Sequence, residues 1–121
     1  MGYVIQPDGT TVAVSPENGT HYTLEEMQGY VGGYIEIVPI PTELRKANVV
    51  MLCDEEFLLK IKPDESGNTM PNLKACMLSR GTIFGAVLVC SMDEDTNMIP
   101  MTEKSVDPFA LGEVLDILDL T

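Results

Sequence analysis

The stretch Asn72-Leu73-Lys74-Ala75 carries the residue types best suited to hold an anion. Asparagine is a favoured helix N-cap, the amides of the turn after it point out of a helix start, and Lys74 adds a cation with no acid beside it. Arg45, Lys46 and Arg80 are further cations that would help at a phosphate. Tyr34 offers a face on which a base can stack, and Tyr22 and Tyr30 lie close to it in sequence. Asn72, Lys74, Arg80, Arg45, Lys46 and Tyr34 are therefore the expected ligand-binding residues, with a nucleotide as the expected small molecule. The plainer alternative makes the Asn72 end an ordinary surface helix terminus and places the tyrosines in the core.

No residue is expected to be catalytic, and neither a metal nor a cofactor is expected. His21 has no nucleophile near it in sequence, and Cys53, Cys76 and Cys90 sit in or beside apolar runs that do not stabilise a thiolate. Three widely spaced cysteines and one histidine make neither a zinc site nor a disulfide framework. Asp93-Glu94-Asp95-Thr96-Asn97 begins like a calcium loop, but Met98 stands where the loop needs glycine and Lys104 where it needs glutamate. Val31-Gly32-Gly33-Tyr34 follows a helix instead of opening one, so it is not a phosphate loop.

Nineteen acidic side chains against seven basic ones leave a net charge of −12. Such a field repels nucleic acid and anionic lipid, so neither nucleic acid nor a membrane is an expected partner. Its plain meaning is solubility; its sharper meaning is imitation of DNA phosphates by spaced carboxylates. At 121 residues the chain suits one domain with a sizeable core. No apolar run reaches the roughly 18 residues of a membrane span. The start, MGYVIQPDGT, has no secretory pattern, and Gln6 stands where myristoylation needs Ser or Thr. A cytoplasmic protein with reduced cysteines is the expectation.

The elements that must position these residues are legible in part. Residues 3–5 and 11–14 flank Pro7-Asp8-Gly9, a turn in which proline presets φ and glycine accepts positive φ. Thr23 and Glu26 form a capping box, with Tyr22 and Met27 placed as a hydrophobic staple; Leu24, Met27 and Val31 make the apolar stripe and Gly32 the stop. A strand over 34–38 follows, and then a loop or irregular bend from Pro39 to Asn48. Residues 49–53 and 57–61 read as a second hairpin, 63–68 as a polar loop, and 72–80 as a short helix through Leu73, Cys76 and Met77, with Gly81 as its stop. The run 83–90 reads as a central strand with a bulge or close backbone approach at Gly85, and 91–105 as a polar loop. Asp107 and Pro108 open a last helix whose apolar face is Phe109, Leu111, Val114, Leu115 and Leu118. The expected fold is one α+β domain, residues 1–121, of about six short, mostly antiparallel strands in hairpins, with three helices covering one face.

Pro7-Asp8-Gly9, the stretch YTLEEMQ at 22–28 and VGGYIEIV at 31–38, with Asn72-Leu73-Lys74-Ala75 and the apolar run at 83–89, resemble a family of small domains of unknown function found largely in phages and prophages. The resemblance covers residues 3–90 and leaves 91–121 outside it. It implies no catalytic residue. It implies a non-enzymatic accessory or anti-defence protein that binds its target in a bacterial host. The favoured reading is sequestration of a host signalling nucleotide; the alternative is an acidic inhibitor that mimics nucleic acid or occludes a host protein. A pocket in a chain this small is often built between subunits, which makes a homo-oligomer a further expectation.

Overall fold

The Pro-Asp-Gly turn forms as its residues dictate. Gly9 N–H donates to the carbonyl of Gln6 at 3.0 Å, and the Asp8 carboxylate accepts from Thr10 N–H at 2.8 Å. It joins β1 (Gly2–Ile5) to β2 (Thr11–Val14) as an antiparallel hairpin in the computed structural model, which describes residues 1–56, 71–102 and 104–118. The other strands are β3 (Ile35–Ile37), β4 (Val49–Asp54), β5 (Val87–Met92) and β6 (Met98–Ile99). They form one sheet of order β2-β1-β5-β4-β3, with β6 also paired to β5, and every pair is antiparallel. Four helices among the described residues complete an α+β domain: α1 (Leu24–Val31), α2 (Thr42–Lys46), α3 (Leu73–Ser79) and α4 (Pro108–Ile117). No helix among the described residues is long and apolar enough to cross a membrane.

The two central strands are apolar without alternation because both faces of the sheet are covered. Val50, Leu52, Leu88 and Cys90 point to one side, where Val4, Tyr22, Met27 and Val31 close a core under α1. Val49, Met51, Cys53, Val87 and Val89 point to the other, beneath Leu44 of α2, Ala75 and Leu78 of α3 and Val114 of α4. The helices therefore lie on both faces and not on one as expected. The bend at 39–48 contains α2, a helix too short to show an apolar period. The region 91–105 is likewise not all loop. β5 runs on to Met92, and a turn built on the Asp93 carboxylate, which accepts from Asp95 N–H and Asn97 N–H, returns the chain as β6. The strand expected over 83–90 begins only at Val87; before it Gly85 stands at φ 82°, with open space around it, so it is the dihedral and not a close approach that calls for glycine. The expected strand 57–61 and loop 63–68 lie outside the described residues.

The α1 capping box is complete. Glu26 N–H donates to Thr23 Oγ1 at 3.2 Å, and Thr23 N–H donates to Glu26 Oε1 at 3.0 Å. These bonds favour the ionised carboxylate and hold Glu26 below its ordinary pKa; the amide of Asn97 does the same for Asp93. A carboxyl group with a depressed folded pKa contributes stability above its unfolded pKa of about 4 and loses it as pH falls through the folded value. Glu26→Gln and Asp93→Asn are thus expected to lower the melting temperature at pH 7 and to leave it nearly unchanged at pH 3. An equal difference at both pH values would show that ionisation is not what these bonds use.

Tyr22 is the pivot of the α1 side. Its ring lies edge-on to Tyr30 with centroids 6.4 Å apart, and its hydroxyl accepts from Gly2 N–H at 2.9 Å and donates to the Val14 carbonyl at 2.6 Å. Burial pushes the phenol up to about 12. A Cβ on residue 2 would collide with that hydroxyl, which is why glycine stands there. Tyr22→Phe keeps the ring but strands a donor and an acceptor. Unfolding free energy should fall by about 1–3 kcal/mol in chemical denaturation.

Candidate functional site

α2 places Arg45 and Lys46 on successive positions, and successive side chains on a helix diverge by about 100°. The two cations consequently line different clefts. Lys46 faces a broad polar cleft of about 600 Å³ between α2 and α4, shared with Glu43, Lys104, Asp107 and Glu113. Arg45 rims a smaller cleft of about 250 Å³ with Ile37, Ile40, Val50 and Met92. Arg80 lines a third, of about 270 Å³, with Glu43, Glu113 and Met77. Tyr34 lines a fourth, shallow one of about 400 Å³ with Leu24, Gln28, Ile35 and Glu55. None of the four combines a tyrosine with Arg45, Arg80 or Lys74.

The remaining two expected ligands serve the fold. Asn72 is fully buried: its Oδ1 accepts from Ala75 N–H at 3.3 Å as the N-cap of α3, while Nδ2 donates to the carbonyls of Ile5 at 3.0 Å and Gly85 at 2.8 Å. Lys74 Nζ donates to the Gly9 carbonyl at 2.9 Å, Thr11 Oγ1 at 3.2 Å and the Leu118 carbonyl at 3.3 Å. An ammonium has three donors, and all three find partners inside the chain. α3 also turns a different face inward than expected. Ala75 and Leu78 are buried while Leu73 and Met77 are exposed, and Arg80 itself takes the left-handed closing position (φ 59°) ahead of Gly81. Phe109 of α4, expected on the apolar face, is 88% exposed beside the Lys46 cleft, and Leu24 of α1 is likewise outside its core.

The nucleophilic groups lie away from these clefts. Burial raises the Cys90 thiol to about 12 and the Cys53 thiol to about 11, the latter with a contribution from Glu36 and Asp54. Both are protonated at neutral pH. His21 Nδ1 lies 3.0 Å from Thr20 Oγ1 on the surface. Among the described residues, no three of His, Cys, Asp and Glu converge as a metal site would require.

Asn48 was not singled out by sequence, yet it joins three segments. It stands in the left-handed region at φ 71°, and its Nδ2 lies 2.9 Å from Ser91 Oγ, 2.6 Å from the Met92 carbonyl and 3.1 Å from the Ser105 carbonyl. Ser91 Oγ returns a bond to the Asn48 carbonyl at 2.9 Å. The one local signal was an asparagine directly before a β-branched strand, the residue type that best tolerates positive φ. Asn48 lines both the Lys46 and the Arg45 clefts and fixes the wall between them.

Among the described residues, Arg45, Lys46 and Arg80 thus stand in three different clefts, and only Lys46 shares its cleft with a second cation, Lys104. No curated protein and no solved structure matches the chain. A family model does, over residues 1–113, running past the region of resemblance into α4. The chain belongs to the family described as Domain of unknown function (DUF3846).

Proposed function

We propose that this protein is a non-enzymatic accessory protein of phage type that acts by occluding a basic surface of a host protein. The observation that carries the reading is the cleft between α1 and β3. Leu24 (55% exposed) and Tyr34 (67% exposed) stand at its rim beside Gln28 and Glu55. Exposed apolar groups gathered in one place mark interaction surfaces, and tyrosine is a favoured anchor. The charges on the elements that build it have one sign: Glu55 lines the cleft, α1 carries Glu25 and Glu26, β3 carries Glu36, and neither α1 nor β3 carries a Lys or Arg. A basic partner is steered to such a surface, and an acidic one is turned away. Sequestering a nucleotide needs several cations around one cavity, and the dispersal of Arg45, Lys46 and Arg80, with Lys74 engaged internally, favours occlusion instead. The phage-type character rests on the resemblance of the stretches at 22–28 and 31–38.

The test begins with affinity capture from a bacterial host lysate and purification of what is retained. The purified partner is then titrated by calorimetry against wild type and Tyr34→Ala at two salt concentrations. Support is a loss of at least about tenfold for Tyr34→Ala, the size of one interface anchor, together with weakening at high salt. Failure to retain any protein, or a retained protein indifferent to both changes, overturns the reading. A rise in melting temperature with a signalling nucleotide also overturns it, in favour of sequestration.

A further inference from the structure

The Arg45 cleft differs from the other three in a way the overall charge makes unexpected. Each of those three contains a carboxylate: Glu43, Asp107 and Glu113 in the Lys46 cleft, Glu55 beside Tyr34, and Glu43 and Glu113 beside Arg80. The Arg45 cleft contains none among the described residues, on a chain with nineteen acids and seven bases. Its walls are aliphatic, from Ile37, Val38, Ile40, Val49, Val50 and Met92. The Arg45 guanidinium makes no hydrogen bond or ion pair among the described residues; only the backbone of this residue is bonded, within α2 and its C-terminal turn. Ile37, on the outer strand of the sheet, is 53% exposed although it lines a concave surface.

We propose that this cleft binds a compact monocarboxylic acid, its hydrocarbon body against the aliphatic walls and its carboxylate on the Arg45 guanidinium. The size fits: about 250 Å³ holds roughly eight water-sized groups at about 30 Å³ each, the scale of a six- to eight-carbon acid and too small for most drug-sized ligands. The chemistry fits as well, because a guanidinium presents a planar pair of donors that matches a carboxylate. The charge count selects a monoanion. One cation in the cleft balances one negative charge, whereas each further charge on the ligand would meet the repulsion of a protein at −12 without a second cation to offset it. The Asn48 network supports the site by fixing the chain where α2 turns into β4. The proposal is independent of the host-protein reading, which uses the cleft at Tyr34.

The probe is hexanoate, added to the full-length ¹⁵N-labelled chain and followed by amide shifts, with 1-hexanol as the neutral control and Arg45→Met as the variant. Arg45 is exposed, so the variant should fold, and its unperturbed spectrum checks that it does. The expected result is a saturable response centred on Ile40, Val49, Val50 and Met92, weaker for hexanol and weakened at least fivefold in Arg45→Met. Three results would each overturn the proposal: shifts that fail to saturate, equal binding of hexanol and hexanoate, or a response centred on the Lys46 and Lys104 cleft. A second variant, Ile37→Ser, leaves Arg45 in place and should weaken hexanoate by removing wall area; no change there would also count against it.

Discussion

Asn72→Ala is expected to lower the unfolding free energy by about 3–7 kcal/mol, the sum of a lost N-cap at about 1 kcal/mol and two carbonyls deprived of a buried donor at about 1–3 kcal/mol each. The side chain is fully buried and bonded to Ala75, Ile5 and Gly85, so it ties the start of α3 to the end of β1 and to the approach to β5. A small domain has only about 5–15 kcal/mol in total, which makes this a loss of about a fifth or more and a fall in melting temperature of roughly 10 °C or above. Asn72→Asp separates the two contributions. The aspartate retains the cap acceptor but sets a carboxylate against the two carbonyls, so it should be as damaging as alanine at pH 7. Burial against two carbonyls raises the folded pKa of this carboxyl above its unfolded value of about 4, and protonation restores a donor. The aspartate variant should therefore gain on the alanine variant as pH falls from that raised value toward about 4. Urea denaturation of both variants at pH 7 and pH 4.5 checks this. If alanine costs less than about 1 kcal/mol, Asn72 is an ordinary surface cap after all.

Asn48→Ala is expected to cost about 2–4 kcal/mol, because it removes the amide that reaches Ser91, Met92 and Ser105 and also forces alanine to positive φ. Ser91 is fully buried, and its hydroxyl has its shorter bonds with the Asn48 carbonyl and side chain, the Ser105 carbonyl lying at 3.4 Å. Asn48→Gly removes the side chain and relieves the dihedral. It should recover about 1 kcal/mol of the loss, the usual left-handed penalty for a residue with a Cβ. Equal stabilities for the two variants would assign the whole effect to the hydrogen bonds. Loss of this clamp should also loosen the loop from Thr102 to Asp107 against β4, seen as faster amide exchange at Val106 and Asp107, whose N–H groups bond Thr102 and Ala47.

The two functional readings use different surfaces, the Tyr34 cleft and the Arg45 cleft, and one short helix keeps Arg45 apart from Lys46. Five residues of α2 turn Arg45 toward an aliphatic cleft and Lys46 toward a polar one. A nucleotide pocket built on both would need them on one face.

By itself the sequence determined those parts of the protein that rest on contacts within a few residues: the Gln6–Gly9 turn, the Thr23–Glu26 capping box closed by Gly32, the Asn72 and Asp107 caps, and the α+β class. Each is a local bond or a backbone preference that its own residue types specify. Tertiary structure alone decided which helix face is buried. Leu24, Leu73 and Met77 have the right hydrophobicity but end up exposed, because α1 and α3 are only eight and seven residues long and the sheet accepts just one edge of each. Phe109, in the first turn of α4, is exposed as well, while Val114 of that helix is buried. α2 was hidden because five residues between Pro41 and Ala47 show no apolar period. Lys74 looked free because the groups that take its three donors, Gly9, Thr11 and Leu118, lie more than forty residues away in the chain. The Arg45 cleft is assembled from β3, α2, β4 and β5, and only the folding of the sheet brings Ile37, Val50 and Met92 within reach of one guanidinium.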